Sequence, residues 1–326
     1  MSQLIDSFGR KIEYLRLSVT DRCDLRCFYC IPKGFKGFTE PEDRISLDDY
    51  VRLVRLFSEL GVSKVRLTGG EPLVRPDLPE MVRKIGALPM IDDLSLSTNA
   101  TRLAQHAKVL KESGVSRINV SLDTLNPDVF REVTQGDLEP VLRGLQVAKA
   151  VGFHPIKINM VVMRDLNLHE VGDMVDYCLE NQFTLRFIET MPVGEAGQQA
   201  RERYVSLDEI KELLYQRFEM EPAKMKGAGP AKYLKIIGKR LKIGFITPMS
   251  QHFCETCNRV RLSSEGTLYL CLGQSDKLEL RPLIQQGLSD DGIKAAILEA
   301  IHNKPEKHEF DSNPSQVVRV MSMTGG

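Results

Sequence analysis

The sequence predicts an α/β protein: a partial (β/α)6 barrel, TIM-like but open, with a smaller C-terminal α+β domain covering the opening. Three observations predict it. Apolar alternation and a 3.6-residue periodicity take turns six times between residues 14 and 218, as the strand–helix units of a parallel sheet do. Eight such units would close a full barrel, so six leave a side open. Beyond residue 220 the pattern breaks at "KGAGP" and gives way to short strand-like runs, which sets the expected domains at 1–220 and 221–326.

Each element has its own warrant. Strands are predicted at "YLRLSVT" (14–20), "KVRLTG" (64–69), "DLSLSTN" (93–99), "RINVSLD" (117–123), "IKINMVVM" (156–163) and "TLRFIET" (184–190), all rich in β-branched or alternating apolar residues. Helical periodicity fills 46–60, 77–88, 103–113, 139–151 and 169–181, with a further helix at 206–218. "SLDD" at 46–49 offers an N-terminal cap, and Gly61, Gly114 and Gly152 stand where helices should end. The C-terminal part carries strand-like runs at 233–246, a cysteine group and a helix near 292–302.

Composition narrows the function classes. Lys plus Arg and Asp plus Glu number 44 each in the 326 residues, so no global field draws the chain to nucleic acid or to an anionic membrane. No apolar run reaches the roughly 18 residues that a membrane span needs. The start, "MSQLIDSFGRK", has neither a secretory apolar core nor transit-peptide character, so a cytoplasmic location is expected.

Strand alternation carries a second message. Leu15, Leu17 and Val19 share one face of the first strand, and Arg16, Ser18 and Thr20 share the other. Helices must cover the apolar faces, so Arg16, Arg66, Lys157 and Arg186 should point into the barrel. Interiors of filled barrels are dominated by Val, Ile and Leu instead. Buried cations without partners are too costly to keep, so a ligand with several negative charges, such as a polyphosphate, is expected. The alternative is internal salt bridges to acids such as Asp123 and Glu189. No G-x4-G-K-[ST] loop is present, so side chains rather than a P-loop would bind such a group.

Seven cysteines fall into two trios and a singleton. Cys23, Cys27 and Cys30 follow the first strand with Cys-x3-Cys-x2-Cys spacing, and Cys254, Cys257 and Cys271 form the second trio. Cys178 sits in a helical pattern and reads as a small buried apolar residue. Thiolates are soft ligands suited to iron–sulfur clusters, and a cubane held by three leaves one iron open for chemistry. Zinc completed by a distant ligand such as His252 is the structural alternative at either trio, with Cys271 a further option at the first.

Cys-x3-Cys-x2-Cys with Tyr29 before the last cysteine, and "TGGEP" at 68–72, resemble the radical S-adenosylmethionine superfamily. Over nearly the whole chain the stretches "FGRKIEYLRLSVTDRCDLRCFYC", "VRLTGGEPLVR", "LSTNA", "INVSLDTL", "KINMVVMRDLN", "RFIETMPVG", "FCETCNRVRL" and the final "GG" resemble the GTP 3′,8-cyclase (molybdenum cofactor biosynthesis protein A) family. The resemblance implies a radical S-adenosylmethionine core carrying an N-terminal 4Fe–4S cluster on Cys23, Cys27 and Cys30, and a second on Cys254, Cys257 and Cys271. It implies S-adenosylmethionine contacts at Tyr29, Gly70, Ser121 and Met191. It implies GTP contacts at Arg16, Arg66, Thr98, Lys157, Arg259, Val260 and Arg261, and insertion of Gly325 and Gly326 into the active site near Arg259 and Arg261. Alternation puts Thr98 on the wall face with Leu94 and Leu96, at odds with its place in that set. Ala100 and Asp165 stand where the family usually has glycine, which leaves the shape of two loops open.

The implied reaction begins when a 5′-deoxyadenosyl radical takes the C3′ hydrogen of GTP. The carbon radical attacks C8, and reduction gives 3′,8-cyclo-7,8-dihydroguanosine 5′-triphosphate. A reducing electron donor and a downstream cyclic pyranopterin monophosphate synthase are the implied partners, with the chain a monomer or homodimer. Two rivals are a radical S-adenosylmethionine enzyme that modifies peptides, and a zinc-binding regulator of nucleic acid. Three C-terminal cysteines are fewer than the first usually carries, and the neutral charge disfavours the second.

Overall fold

The computed structural model describes residues 3–225, 229–310 and 317–325. Six parallel strands form its centre: β1 (Tyr14–Ser18), β2 (Lys64–Thr68), β3 (Asp93–Thr98), β4 (Arg117–Ser121), β5 (Ile156–Val161) and β6 (Thr184–Ile188). Each predicted strand is found, shorter by one or two residues at its C-terminal end. Helices α1 (Leu47–Glu59), α2 (Leu78–Gly86), α3 (Leu103–Glu112), α4 (Pro127–Thr134), α5 (Glu139–Ala150) and α6 (Val171–Asn181) lie between them, and α7 (Gly194–Ala200) and α8 (Leu207–Tyr215) follow β6.

Local chemistry explains the boundaries. Ser46 caps α1 by accepting the Asp49 N–H at 3.1 Å, and α1 buries Leu53, Val54, Leu56 and Phe57 against the outer face of the sheet. Gly61 follows α1 with φ +100°, a conformation that disfavours any residue with a Cβ. α4 was not expected; Asn126 caps it and Pro127 opens it, a start signal confined to two residues. Cys178 is fully buried on α6, as its pattern predicts.

The C-terminal strands join the same sheet. β7 (Met220–Ala223), β8 (Lys232–Ile236), β9 (Lys242–Ile246), β10 (Arg259–Leu262), β11 (Thr267–Tyr269) and β12 (Lys277–Glu279) precede α9 (Leu280–Gln285), α10 (Asp290–His302) and α11 (Met321–Thr324). The order is β12-β11-β10-β1-β2-β3-β4-β5-β6-β9-β8-β7. β10 pairs parallel with β1, and β9 pairs parallel with β6. The curl therefore continues on both sides with strands from the C-terminal part, and antiparallel hairpins cap each end.

Two loops settle the question raised by Ala100 and Asp165. Both residues take left-handed conformations, φ 64° and 61°. The loops thus keep the shape that glycine would adopt. Among the described residues no helix is long and apolar enough to cross a membrane.

Candidate active site: two cysteine loops joined by a basic sheet face

The first trio leaves the C-terminal end of β1. Cys27 O accepts the N–H groups of Cys30 and Ile31 at 2.9 and 3.0 Å, folding the loop back on itself. Cys23, Cys27 and Cys30 line one cavity with Tyr29, Gly70, Ser121 and Met191. Burial pushes the thiols of Cys23 and Cys30 up to about 12, and that of Cys27 upward too. Such thiols stay protonated until a soft metal centre takes the place of the proton.

The glycines of "TGGEP" work by close approach, though to protein rather than ligand. A Cβ on Gly69 would overlap the Thr20 carbonyl, and one on Gly70 the carbonyls of Asp21 and Arg22. The segment is thus pressed onto the chain entering the cysteine loop. Glu71, fully buried, accepts from Leu73 N at 3.0 Å, Thr98 Oγ1 at 2.8 Å and Asn99 N at 2.6 Å. Burial raises its carboxyl to about 7. It clips the ends of β2 and β3 together.

The second trio lies beside β10. Cys254, Cys257 and Cys271 line a cavity with Arg259, Val260, Arg261, Lys304, His308 and Phe310. Burial raises the Cys257 thiol, but the Arg259 and Lys304 cations outweigh it and bring the group down to about 7. Arg259 also hydrogen-bonds this thiol and lies 5.0 Å over the Phe253 ring. His252 does not line the cavity; its Nδ1 is 3.2 Å from His308 Nε2, which is 3.0 Å from Pro248 O. Neither cavity lining contains a fourth cysteine. Three thiols around a cavity suit a 4Fe–4S cluster with one open iron.

A row of bases runs between the two cavities. Arg261, Arg16 and Arg66 sit side by side on β10, β1 and β2; alternation turns Arg16 and Arg66 inward, and the register puts Arg261 on the same face. Lys157 stands opposite Asn119, and Arg186 donates to Asn119 Oδ1 at 2.6 Å. Arg16, Arg66, Lys157 and Arg186 are all buried. Burial, reinforced by neighbouring cations, lowers every one of them: Lys157 to about 7, Arg261 to about 9 and Arg186 to about 10, with Arg16 and Arg66 also lowered.

The expected acid partners are engaged elsewhere. Asp123 accepts from Tyr29 Oη and Val161 N at 2.6 and 2.8 Å. Glu189 accepts from Tyr204 Oη, Met249 N, Ser250 N and Ser250 Oγ. Asp123 and Glu189 therefore hold other groups; the carboxylate that acts on Arg66 and Lys157 is Asp93, itself paired with Arg117. Thr98 lies outside the row: it lines the first cavity and holds Glu71.

The C-terminal tail crosses this region. Arg261 donates to the carbonyls of Thr324 and Gly325, and a Cβ on Gly325 would overlap the Thr68 side chain. Arg319 donates to Cys271 O at 3.1 Å and Leu272 O at 2.6 Å, and the Ser322 N–H reaches the Cys30 thiol. One short segment thus touches both cysteine loops. Gly326 lies outside the described residues. Sequence reasoning missed Glu71, Arg319 and Lys304; the first stood inside "GGEP", while the other two carried no local signal.

The fold and the first cysteine loop define a radical S-adenosylmethionine protein, and the Radical SAM superfamily profile matches residues 17–178. The Molybdenum Cofactor Synthesis C profile matches residues 183–310. GTP 3′,8-cyclases from Saccharophagus degradans and Hydrogenovibrio crunogenus are 45% and 46% identical, covering 100% and 99% of this chain and 99% of each relative. The chain belongs to the GTP 3′,8-cyclase family. Streptococcus suis SuiB shares the fold: bound to S-adenosylmethionine it aligns with TM-score 0.60 at 17% identity, over 87% of this chain and 67% of SuiB. Bound to its precursor peptide SuiA it aligns with TM-score 0.63 at 17% identity, over 93% and 67%.

Proposed function

We infer that this chain is a radical S-adenosylmethionine GTP 3′,8-cyclase that converts GTP to (8S)-3′,8-cyclo-7,8-dihydroguanosine 5′-triphosphate, an early step of molybdenum cofactor biosynthesis. The observation that carries it is the register across β10, β1 and β2, which lines up Arg261, Arg16 and Arg66 between two three-cysteine cavities. A triphosphate lying on that row would extend its nucleoside between the two open irons.

When bound, the first cluster and S-adenosylmethionine supply the one-electron chemistry that removes the C3′ hydrogen of GTP. The protein's own residues do the placing. In this reading Cys23, Cys27 and Cys30 hold the first cluster, and Tyr29, Gly70, Ser121 and Met191 hold S-adenosylmethionine. Cys254, Cys257 and Cys271 would hold the second cluster, which would supply an open metal position for the guanine. Arg16, Arg66, Lys157 and Arg261 fix the phosphates, with Arg259, Val260 and Thr98 bordering the substrate. Fixing a polyphosphate at one end converts a wandering ribose into a positioned one. The tail, with Gly325 against Arg261 and Thr68, keeps water from the space between the cavities. A reducing donor, a downstream cyclic pyranopterin monophosphate synthase, a cytoplasmic setting and a monomeric or homodimeric state complete the reading.

The test uses anaerobically reconstituted protein, reductant, S-adenosylmethionine and GTP deuterated at C3′. Deuterium should pass into 5′-deoxyadenosine as cyclised nucleotide forms. Unlabelled 5′-deoxyadenosine from protein that still cyclises GTP would overturn the assignment of the abstracted hydrogen.

A further inference from the structure

Lys304 follows α10 and is 2% exposed, one of the largest fully buried side chains in the molecule. It lines the cavity of the second cysteine trio, and its Nζ donates to the carbonyl of Leu270, the residue before Cys271. Among the described residues, no Asp or Glu lines that cavity. A lysine is not kept in such a place without an anion to face. The anions this cavity can offer are the thiolates and whatever they hold.

A second basic residue shows that the placement is built. Arg10 is neutralised by Asp6, with Nε 2.6 Å from the carboxylate. Its two terminal nitrogens donate to Cys254 O at 3.0 Å, Pro305 O at 2.6 Å and Glu306 O at 2.5 Å. Arg10 thereby ties the residues after Lys304 to the first cysteine of the trio. Its own charge is matched, so it positions; Arg259, Arg261 and Lys304 are the cations at the cavity wall, and of the three Lys304 is the fully buried one.

We propose that Lys304 is the fixed electrostatic partner of the second cluster and sets its reduction potential. This rests on the reading that Cys254, Cys257 and Cys271 hold a 4Fe–4S cluster. Such a cluster on three thiolates is anionic and gains a further negative charge on reduction. A buried cation beside it favours the reduced form, because charge and burial are among the levers that set cluster potentials. Removing the charge makes the midpoint more negative.

The experiment uses the full chain carrying Cys23→Ala, Cys27→Ala and Cys30→Ala, reconstituted with iron and sulfide, so that only the second site loads. About four irons and four sulfides per chain uphold the cluster; zinc, or neither element, ends that reading without reference to Lys304. On this background Lys304→Arg, Lys304→Gln and Lys304→Met are compared by redox titration followed by electron paramagnetic resonance. Glutamine can still donate to Leu270 O while losing the charge, which guards against a folding artefact with methionine. Lys304→Arg should keep the parent midpoint, and both neutral variants should shift it negative or lose the cluster that the arginine variant retains. An unchanged midpoint in the neutral variants overturns the proposal. So does an arginine variant that shifts, or loses its cluster, as far as the glutamine one, since shape rather than charge would then be responsible.

Discussion

Tyr29 donates its hydroxyl to Asp123 Oδ2 at 2.6 Å, while Asp123 Oδ1 takes the Val161 N–H at 2.8 Å. One carboxylate thus joins the first cysteine loop to the segments leaving β4 and β5, and Tyr29 is held by protein before any cofactor arrives. Tyr29→Phe leaves a buried oxygen without its donor, and we expect a loss of about 1–3 kcal/mol in denaturant unfolding. In an Asp123→Ala background the same change should cost much less; equal costs in both backgrounds would dissolve the coupling.

The two glycines after β2 are needed for backbone packing. Gly70→Ala would push a methyl into the carbonyls of Asp21 and Arg22, displacing the chain that leads to Cys23. Iron should fall from about eight to about four atoms per chain, the second site staying loaded. Full iron content with undiminished S-adenosylmethionine binding would contradict this.

At the tail, Gly325 has φ +72° and no room for a side chain beside Thr68. Gly325→Ala should free the last residues from Arg261, expose them to carboxypeptidase and reduce GTP cyclisation at least tenfold, with both sites still loaded with iron. Trimming the neighbour with Thr68→Ala should recover part of the activity, because the steric conflict is then relieved while the backbone strain remains.

Lys157 gives the proposed nucleotide site a pH dependence. Burial and the cations of Arg186, Arg117 and Arg66 lower its ammonium to about 7. A bound polyanion favours the charged form and raises that value again. Binding therefore takes up a proton above pH 7, and affinity for GTP, measured by titration calorimetry, should decline as pH rises from about 7 toward 9. The terminal phosphate of GTP is already ionised there, its second pKa being about 6, and contributes no slope. Lys157→Met should bind weakly and lose the decline between about pH 7 and 8, keeping only the fall near 9 that Arg261 brings; a wild-type slope between 7 and 8 in that variant would sink the assignment.

Asp165 is exposed and left-handed, φ 61°. Glycine carries no Cβ penalty in that region, so Asp165→Gly should stabilise the chain by up to about 1 kcal/mol in a denaturant titration. The same change at Ala100 should gain less, since Ala100 is fully buried and its methyl packs.

Much of this architecture is legible in the sequence because strands with one lined and one wetted face betray themselves. Arg16, Arg66 and Lys157 were turned inward by alternation alone, and β1 to β6 fell where it indicated. Thr98 shows the limit: at a strand's end the hydroxyl answers to Glu71, 27 residues away, and no period records that. Pairing of β10 with β1 and of β9 with β6 was equally hidden, since parallel neighbours distant in sequence leave no mark on local pattern. Arg10 and Lys304 were silent for the same reason: their meaning is a set of backbone carbonyls contributed from elsewhere in the chain.

The two outermost parallel partners also govern how the molecule must be made. β1 is made before the other strands, yet one of its edges receives β10 only once Arg259–Leu262 has been synthesised. Until then an uncapped strand lies open to mispairing with other chains, and closure depends on a contact of very long sequence separation, the slowest kind to form. Truncation anywhere before residue 262 accordingly leaves the nascent barrel with a raw edge rather than a smaller working protein.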